Sequence, residues 1–160
     1  MTTTLVVPYT RAKSLEHTIW YGAARMTFLA TSEDTDGQLA IVEIEGRRGT
    51  EPPRHVHSRE DESVYVLAGE VEFHVGEERF RVGPGGFVFM PREVPHEFRI
   101  LTETFKAILV ITPGGFENYF KRMGRPAESF ELPALQAPSD SFIDKVIQVS
   151  RDFGLTMLTR

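Results

Sequence analysis

Gly49-Thr50-Glu51-Pro52-Pro53-Arg54-His55-Val56-His57-Ser58-Arg59-Glu60-Asp61-Glu62-Ser63-Val64-Tyr65-Val66-Leu67-Ala68-Gly69 is the stretch that decides the fold. In a strand, residues i and i+2 face the same side. His55 and His57 therefore point one way and Val56 the other. Pro52-Pro53 bars a central ladder position just before them. Glu62 opens the apolar run Val64-Tyr65-Val66-Leu67, which reads as the next strand. Further on, His96 is followed at i+2 and i+4 by Phe98 and Ile100, so an apolar strand face lies beside a third histidine. Neutral imidazole and carboxylate are the side chains that hold a first-row divalent metal. His55, His57, Glu62 and His96 are the candidate ligands, carried on one interior face of a small barrel.

Outward from this stretch, strand signals recur. Arg25 to Ala30 and Leu39 to Ile44 flank Asp34-Thr35-Asp36-Gly37, and Asp-Gly is a strong hairpin signal. Ile19-Trp20-Tyr21-Gly22 reads as an edge strand or a lid. Val71, Phe73 and Val75 alternate with Glu72 and His74, a half-buried strand. Phe87-Val88-Phe89-Met90 reads as a buried strand ended by Pro91. His96 to Leu101 and Phe105 to Ile111 complete the set. Many short strands with turn signals between them predict a sandwich or closed barrel.

Past Pro113 the pattern changes. Phe116, Tyr119, Phe120 and Met123 fit a short amphipathic helix ended by Gly124. Residues 125–138 are a Pro-rich linker. Ser139 or Ser141 can cap a second helix with Phe142, Val146, Val149 and Phe153 on one face and Gly154 at its end. The expected division is residues 1–112 as barrel with its N-terminal strand segment, and 113–160 as a helical tail packed on it, one domain overall.

Other features read as structural. Glu60 and Asp61 are taken as a solvated charge run. His74 opposes the parity of its apolar neighbours and reads as a surface histidine. His17 has no partner in the sequence. Gly83-Pro84-Gly85-Gly86 lacks a following Lys-Ser/Thr and a helix start, so it is a turn and not a phosphate loop.

The quoted residues resemble the cupin family. Its first motif runs Gly, five residues, His-x-His, three or four residues, Glu, six residues, Gly. Gly49, His55, His57, Glu62 and Gly69 match it throughout. The second motif is similar to Gly85, Pro91 and His96, with Glu93 where the family usually has Gly and Ile100 where it often has Asn. The resemblance covers roughly residues 40 to 112. It implies an all-β, double-stranded β-helix (jelly-roll) barrel. It also implies one divalent transition metal (Ni, Fe, Mn, Co, Cu or Zn) on His55, His57, Glu62 and His96.

Ile111-Thr112-Pro113-Gly114-Gly115-Phe116-Glu117-Asn118-Tyr119-Phe120 is similar to the segment after the last barrel strand in bacterial quercetin 2,3-dioxygenases. That likeness implies a dioxygenase of a flavonol-like or enol substrate, with Glu62 as the catalytic base. Val64, Phe89, Phe98 and Ile100 are the expected substrate-pocket residues. Two other classes stay open. One is a metal-dependent isomerase or lyase of a sugar or small acid, which would want Arg or Lys in the pocket; Arg54, Arg92 and Arg99 are nearby. The other is a non-catalytic metal- or small-molecule-binding cupin.

Composition sets further bounds. A net charge of −5 argues against a nucleic-acid partner. No apolar run reaches membrane-spanning length. The N-terminus, Met1 to Val7, lacks a basic segment followed by a long apolar one, so no secretory leader is read. With no cysteine, disulfides and thiolate chemistry are absent, and the cytoplasm is the default expectation. A homodimer is expected, because small barrels expose sheet edges; Ile19-Trp20-Tyr21 is the candidate contact.

Overall fold

The computed structural model describes residues 6–158. Most of the N-terminal run read as lacking a leader lies outside the described residues. The alternating runs form strands β1 Thr18–Tyr21, β2 Ala24–Ala30, β3 Ala40–Arg47, β4 His55–His57, β5 Asp61–Ala68, β6 Val71–Val75, β7 Glu78–Val82, β8 Phe87–Met90, β9 His96–Ile100 and β10 Thr104–Thr112. Helix α1 Glu117–Met123, β11 Arg125–Pro126, α2 Asp140–Asp152 and β12 Leu155–Met157 follow. One sheet has the order β11-β1-β2-β3-β10-β5-β8, the other β12-β4-β9-β6-β7. Neighbouring strands pair antiparallel, and the two sheets form the expected jelly-roll barrel.

Period-two alternation decides what fills it. On β10 the buried residues are Phe105, Ala107, Leu109 and Ile111; on β5 they are Glu62, Val64 and Val66. The parity that buries Val64 therefore also buries Glu62. Full burial of each large apolar side chain contributes about 1.5–3 kcal/mol, enough to hold this register against a one-residue slip that would turn Glu62 outward.

Two turns fix the ends of the motifs. Gly69 has φ +82°, and a Cβ there would run into the Thr104 carbonyl and the Thr102 hydroxyl. Glu93, in place of the family's usual Gly, also adopts a left-handed conformation, φ +66°, and its N–H donates to the His57 carbonyl at 2.8 Å. The turn is thus kept without glycine, at a conformational cost of about 1–2 kcal/mol.

Several expectations need correcting. β1 is neither an edge strand nor a lid: β2 pairs with one side, and β11 pairs with Ile19 and Trp20 on the other. β8 is only half-buried. Val88 and Met90 face the core, while Phe87 and Phe89 are 62% and 52% exposed. The reason is that the outer face of the larger sheet meets solvent here, where Tyr65 on the neighbouring β5 is exposed too. The region after Pro113 is not only helical. α1 buries Tyr119, Phe120 and Met123, and Ser139 caps α2 by accepting from the Phe142 N–H. The chain then reverses at Gly154 (φ +67°) and returns as β12, which pairs with β4. Among the described residues, no helix is long and apolar enough to cross a membrane.

Candidate metal centre

β4 and β9 belong to the smaller sheet and β5 to the larger, so the centre bridges the two. His55 pairs directly with His96 across β4 and β9. Both β4 histidines point inward because they are two apart on one strand. His55, His57, Glu62 and His96 are all buried, and one ligating atom from each lies within 4.8 Å of the others. One Glu62 oxygen lies 3.2 Å from His96 Nε2 and 3.5 Å from His57 Nε2. The sequence-derived set is brought together without exception.

The outer nitrogen of each ring fixes its tautomer. His55 Nδ1–H donates to the Pro53 carbonyl at 2.7 Å, and His96 Nδ1–H to the Val94 carbonyl at 3.1 Å. A carbonyl only accepts, so in each neutral ring the proton sits on Nδ1 and Nε2 is the atom able to ligate; His96 Nε2 lies within hydrogen-bond distance of Glu62. His57 differs. Its Nδ1 faces Glu60 Oε2 at 3.6 Å, longer than a hydrogen bond, and these two buried atoms have no other partner.

Glu60 therefore corrects the sequence reading. It is 6% exposed, not part of a solvated charge run. The turn after β4 folds it back beneath His57. Its neighbour Asp61 does face outward, paired with Arg92 at 2.9 Å. The signal for Glu60 was its i+3 offset from His57, which alternation along a strand cannot reveal.

Electrostatics follow from this crowding. Burial pushes the Glu62 carboxyl up, but His57, His96 and His55 together outweigh it and hold it at about 2. Burial, aided by His96, lowers His55 to about 4. Burial also lowers His57, but Glu62 and Glu60 overcome it, and its pKa is raised. A carboxylate ringed by imidazoles, with His57 Nε2 lacking any hydrogen-bond partner, fits one divalent cation. Structural zinc sites are typically Cys-rich and closed, unlike this one.

The four ligands line a cavity of about 110 Å³. Val64 and Phe98 line it. Phe89 does not, since it projects into solvent. Ile100 is 1% exposed but packs in the core away from the cavity wall. It lies four residues along β9 from His96, roughly 13 Å at strand rise. The reading missed Tyr21, Phe116, Tyr119, Leu155 and Met157, which also form the wall. The three arginines point elsewhere. Arg54 meets Glu97 and the Gly76 carbonyl, Arg92 meets Asp61, and the Arg99 side chain is 72% exposed. No Lys or Arg lines the cavity among the described residues.

Fold and site together define a class: the double-sheet barrel has the cupin fold, and residues 40–112 match the Cupin_2 (Cupin domain) family model. The chain is similar to quercetin 2,3-dioxygenase of Bacillus subtilis (strain 168), 28% identical over 142 residues. That alignment takes in 89% of this chain but 42% of the relative, so the chain spans less than half of that protein's length. Among solved structures it is similar to an RmlC-like cupin from Shewanella frigidimarina. The TM-score is 0.55 at 24% identity, covering 65% of this chain and 90% of that one. It is also similar to KdgF from Halomonas sp., with a TM-score of 0.54 at 23% identity, covering 60% and 84%. At these identities the likeness to the solved structures is one of fold.

Proposed function

We propose that the chain is a metal-dependent cupin enzyme, a dioxygenase acting on a small aromatic or enol substrate. One observation carries this reading: four buried ligating groups from two sheets meet on the wall of a largely apolar cavity. The B. subtilis relative supports the reaction class. When bound, a divalent metal would acidify a substrate hydroxyl and template the substrate beside dioxygen.

The chain's own residues supply the rest. His55, His57, Glu62 and His96 would hold the ion. Phe98, Phe116 and Leu155 exclude water from the space beside it. Glu62 is ionised at neutral pH and can accept a proton from the substrate hydroxyl. With its carboxyl held at about 2 it is a weak base alone, so the transfer depends on an acidified donor.

Size and charge narrow the substrate. A cavity of about 150 Å³ holds benzene, and this one has about 110 Å³. It is smaller still, so it takes at most one ring, not the three of a flavonol. No Lys or Arg lines its wall among the described residues, so a free acid would have only the metal to pair with, which weakens the isomerase or lyase reading.

Metal analysis of the purified protein, followed by oxygen-uptake screening with single-ring enols and phenols, tests the proposal. His57→Ala and His96→Ala should each lose most bound metal while staying folded. Glu62→Gln should keep much of the metal and lose turnover by about 10²-fold or more. Turnover near the parent rate in Glu62→Gln removes the base role. Failure of the parent to bind any divalent metal overturns the whole reading.

A further inference from the structure

The cavity wall carries two polar side chains that the metal centre leaves unused and whose hydrogen bonding is incomplete. Apart from the four ligands, its polar side chains are Thr50, Tyr21 and Tyr119. The Thr50 hydroxyl is committed to the Arg47 carbonyl at 2.7 Å. The Tyr21 and Tyr119 hydroxyls face each other at 3.2 Å. Two hydroxyls hold two protons, and their mutual hydrogen bond uses one. One O–H is therefore left to donate, and no protein acceptor takes it up among the described residues.

Either hydroxyl can be the donor of their mutual bond. Tyr119 is 1% exposed, whereas Tyr21, on β1, is only partly buried. The Tyr119 ring stacks on Phe116 with centroids 5.1 Å apart, and Phe116 lies edge-on to His57 at 4.3 Å. Tyr119 is thus one ring removed from the metal ligands. If Tyr21 donates to Tyr119, the remaining proton sits on the buried hydroxyl beside the cavity.

We propose that Tyr119 is a ligand-binding residue that donates a hydrogen bond to a neutral oxygen on the far side of the substrate ring, with Tyr21 as the positioning residue that orients it. The inference rests on the metal-site reading above and deepens it. The substrate class becomes a single-ring enol or phenol with one oxygen for the metal end and a second, uncharged oxygen for Tyr119. A charged second group finds no cation on this wall.

The test uses zinc-loaded protein without oxygen and two catechols of nearly equal size. Hydroxyquinol carries a further ring hydroxyl, and homocatechol carries a methyl group in the same place. Zinc binding is titrated first, so failure of the metal site is seen separately. Calorimetry then gives both affinities. The parent should prefer hydroxyquinol by about 3- to 10-fold, the range of one net hydrogen bond. Tyr119→Phe should bind both probes equally, while Tyr21→Phe should keep part of the preference. A purely packing role would change both affinities together. A zinc-loaded parent that shows no preference, or binds neither probe, overturns the proposal, as does a Tyr119→Phe variant that keeps the full preference.

Discussion

Among single residues, Glu60 has the largest untested consequence. His55 and His96 rest their outer nitrogens on backbone carbonyls, while His57 faces a carboxylate. A charged partner orients the ring and raises its donor strength, and loss of such partners typically costs 10- to 100-fold in metal affinity. Glu60→Ala is expected to weaken zinc binding by about 10-fold or more, read by competition with a chelator; an unchanged affinity would remove Glu60 from the site's support. Glu93 makes the opposite case. Its left-handed φ of +66° suits glycine better. Glu93→Gly relieves about 1–2 kcal/mol of strain and gives back about 0.4–1 through the freer unfolded chain. A net gain of about 0.5 kcal/mol should appear as a slightly raised midpoint in denaturant.

At the scale of elements, the last strand is held by one joint. The Ser58 N–H and its hydroxyl both donate to the Gly154 carbonyl at 3.0 Å. A Cβ on Gly154 would collide with Ser58 and Arg59, and φ is +67°. Gly154→Ala should therefore destabilise the protein by about 2 kcal/mol or more. Hydrogen exchange should speed up first at the amides of residues 155–158, which lie along β4. Uniform loss of protection across both sheets would contradict this. The N-terminal segment is tied down by charge. Arg11 binds Asp34 at 2.9 Å, and that pairing, working against burial and joined by Thr31, lowers the Asp34 carboxyl to about 2. A depressed carboxyl contributes stability above its unfolded pKa and loses it as pH falls toward its folded one. Partial exposure limits the contribution to about 1 kcal/mol. Asp34→Asn should thus be less stable than the parent near neutrality, and the gap should close between about pH 4 and pH 2 in urea unfolding.

For the whole molecule, the expected homodimer needs a surface, and the fold moves it. Trp20 is engaged by Arg125 over its ring and by the Glu131 carbonyl, so β1 is partly covered. The open edge of the larger sheet is β8. Its outward Phe87 and Phe89 stand beside Tyr65, all well exposed. Such an edge favours pairing with a second copy about a twofold axis. Light scattering is expected to give twice the 18.1 kDa chain mass, and Phe87→Ser with Phe89→Ser should return it to one. A monomeric parent at working concentration would end the dimer proposal.

The sequence alone carried the strand pattern by local rules and, through its likeness to the cupin motifs, the four candidate ligands. Period-two alternation sets which face of a strand is buried, so the parity of His55, His57, Glu62 and Val64 was readable without any tertiary contact. The end of α1 at Gly124, and a cap for α2 at Ser139 or Ser141, were readable for the same reason, since caps act within one turn; the structure uses Ser139. Tertiary structure alone decided the rest. Phe89 and Phe87 look like core until the outer face of β8 proves to be uncovered. Leu155–Met157 is too short to announce a strand and becomes one only where β4 offers a free side. Glu60 looks solvated until the turn after β4 carries it under His57. Tyr21 and Tyr119 are 98 residues apart, and no local pattern links their hydroxyls. Contacts between distant segments depend on how the chain closes on itself, and that closure is a property of the packed barrel, not of any one stretch.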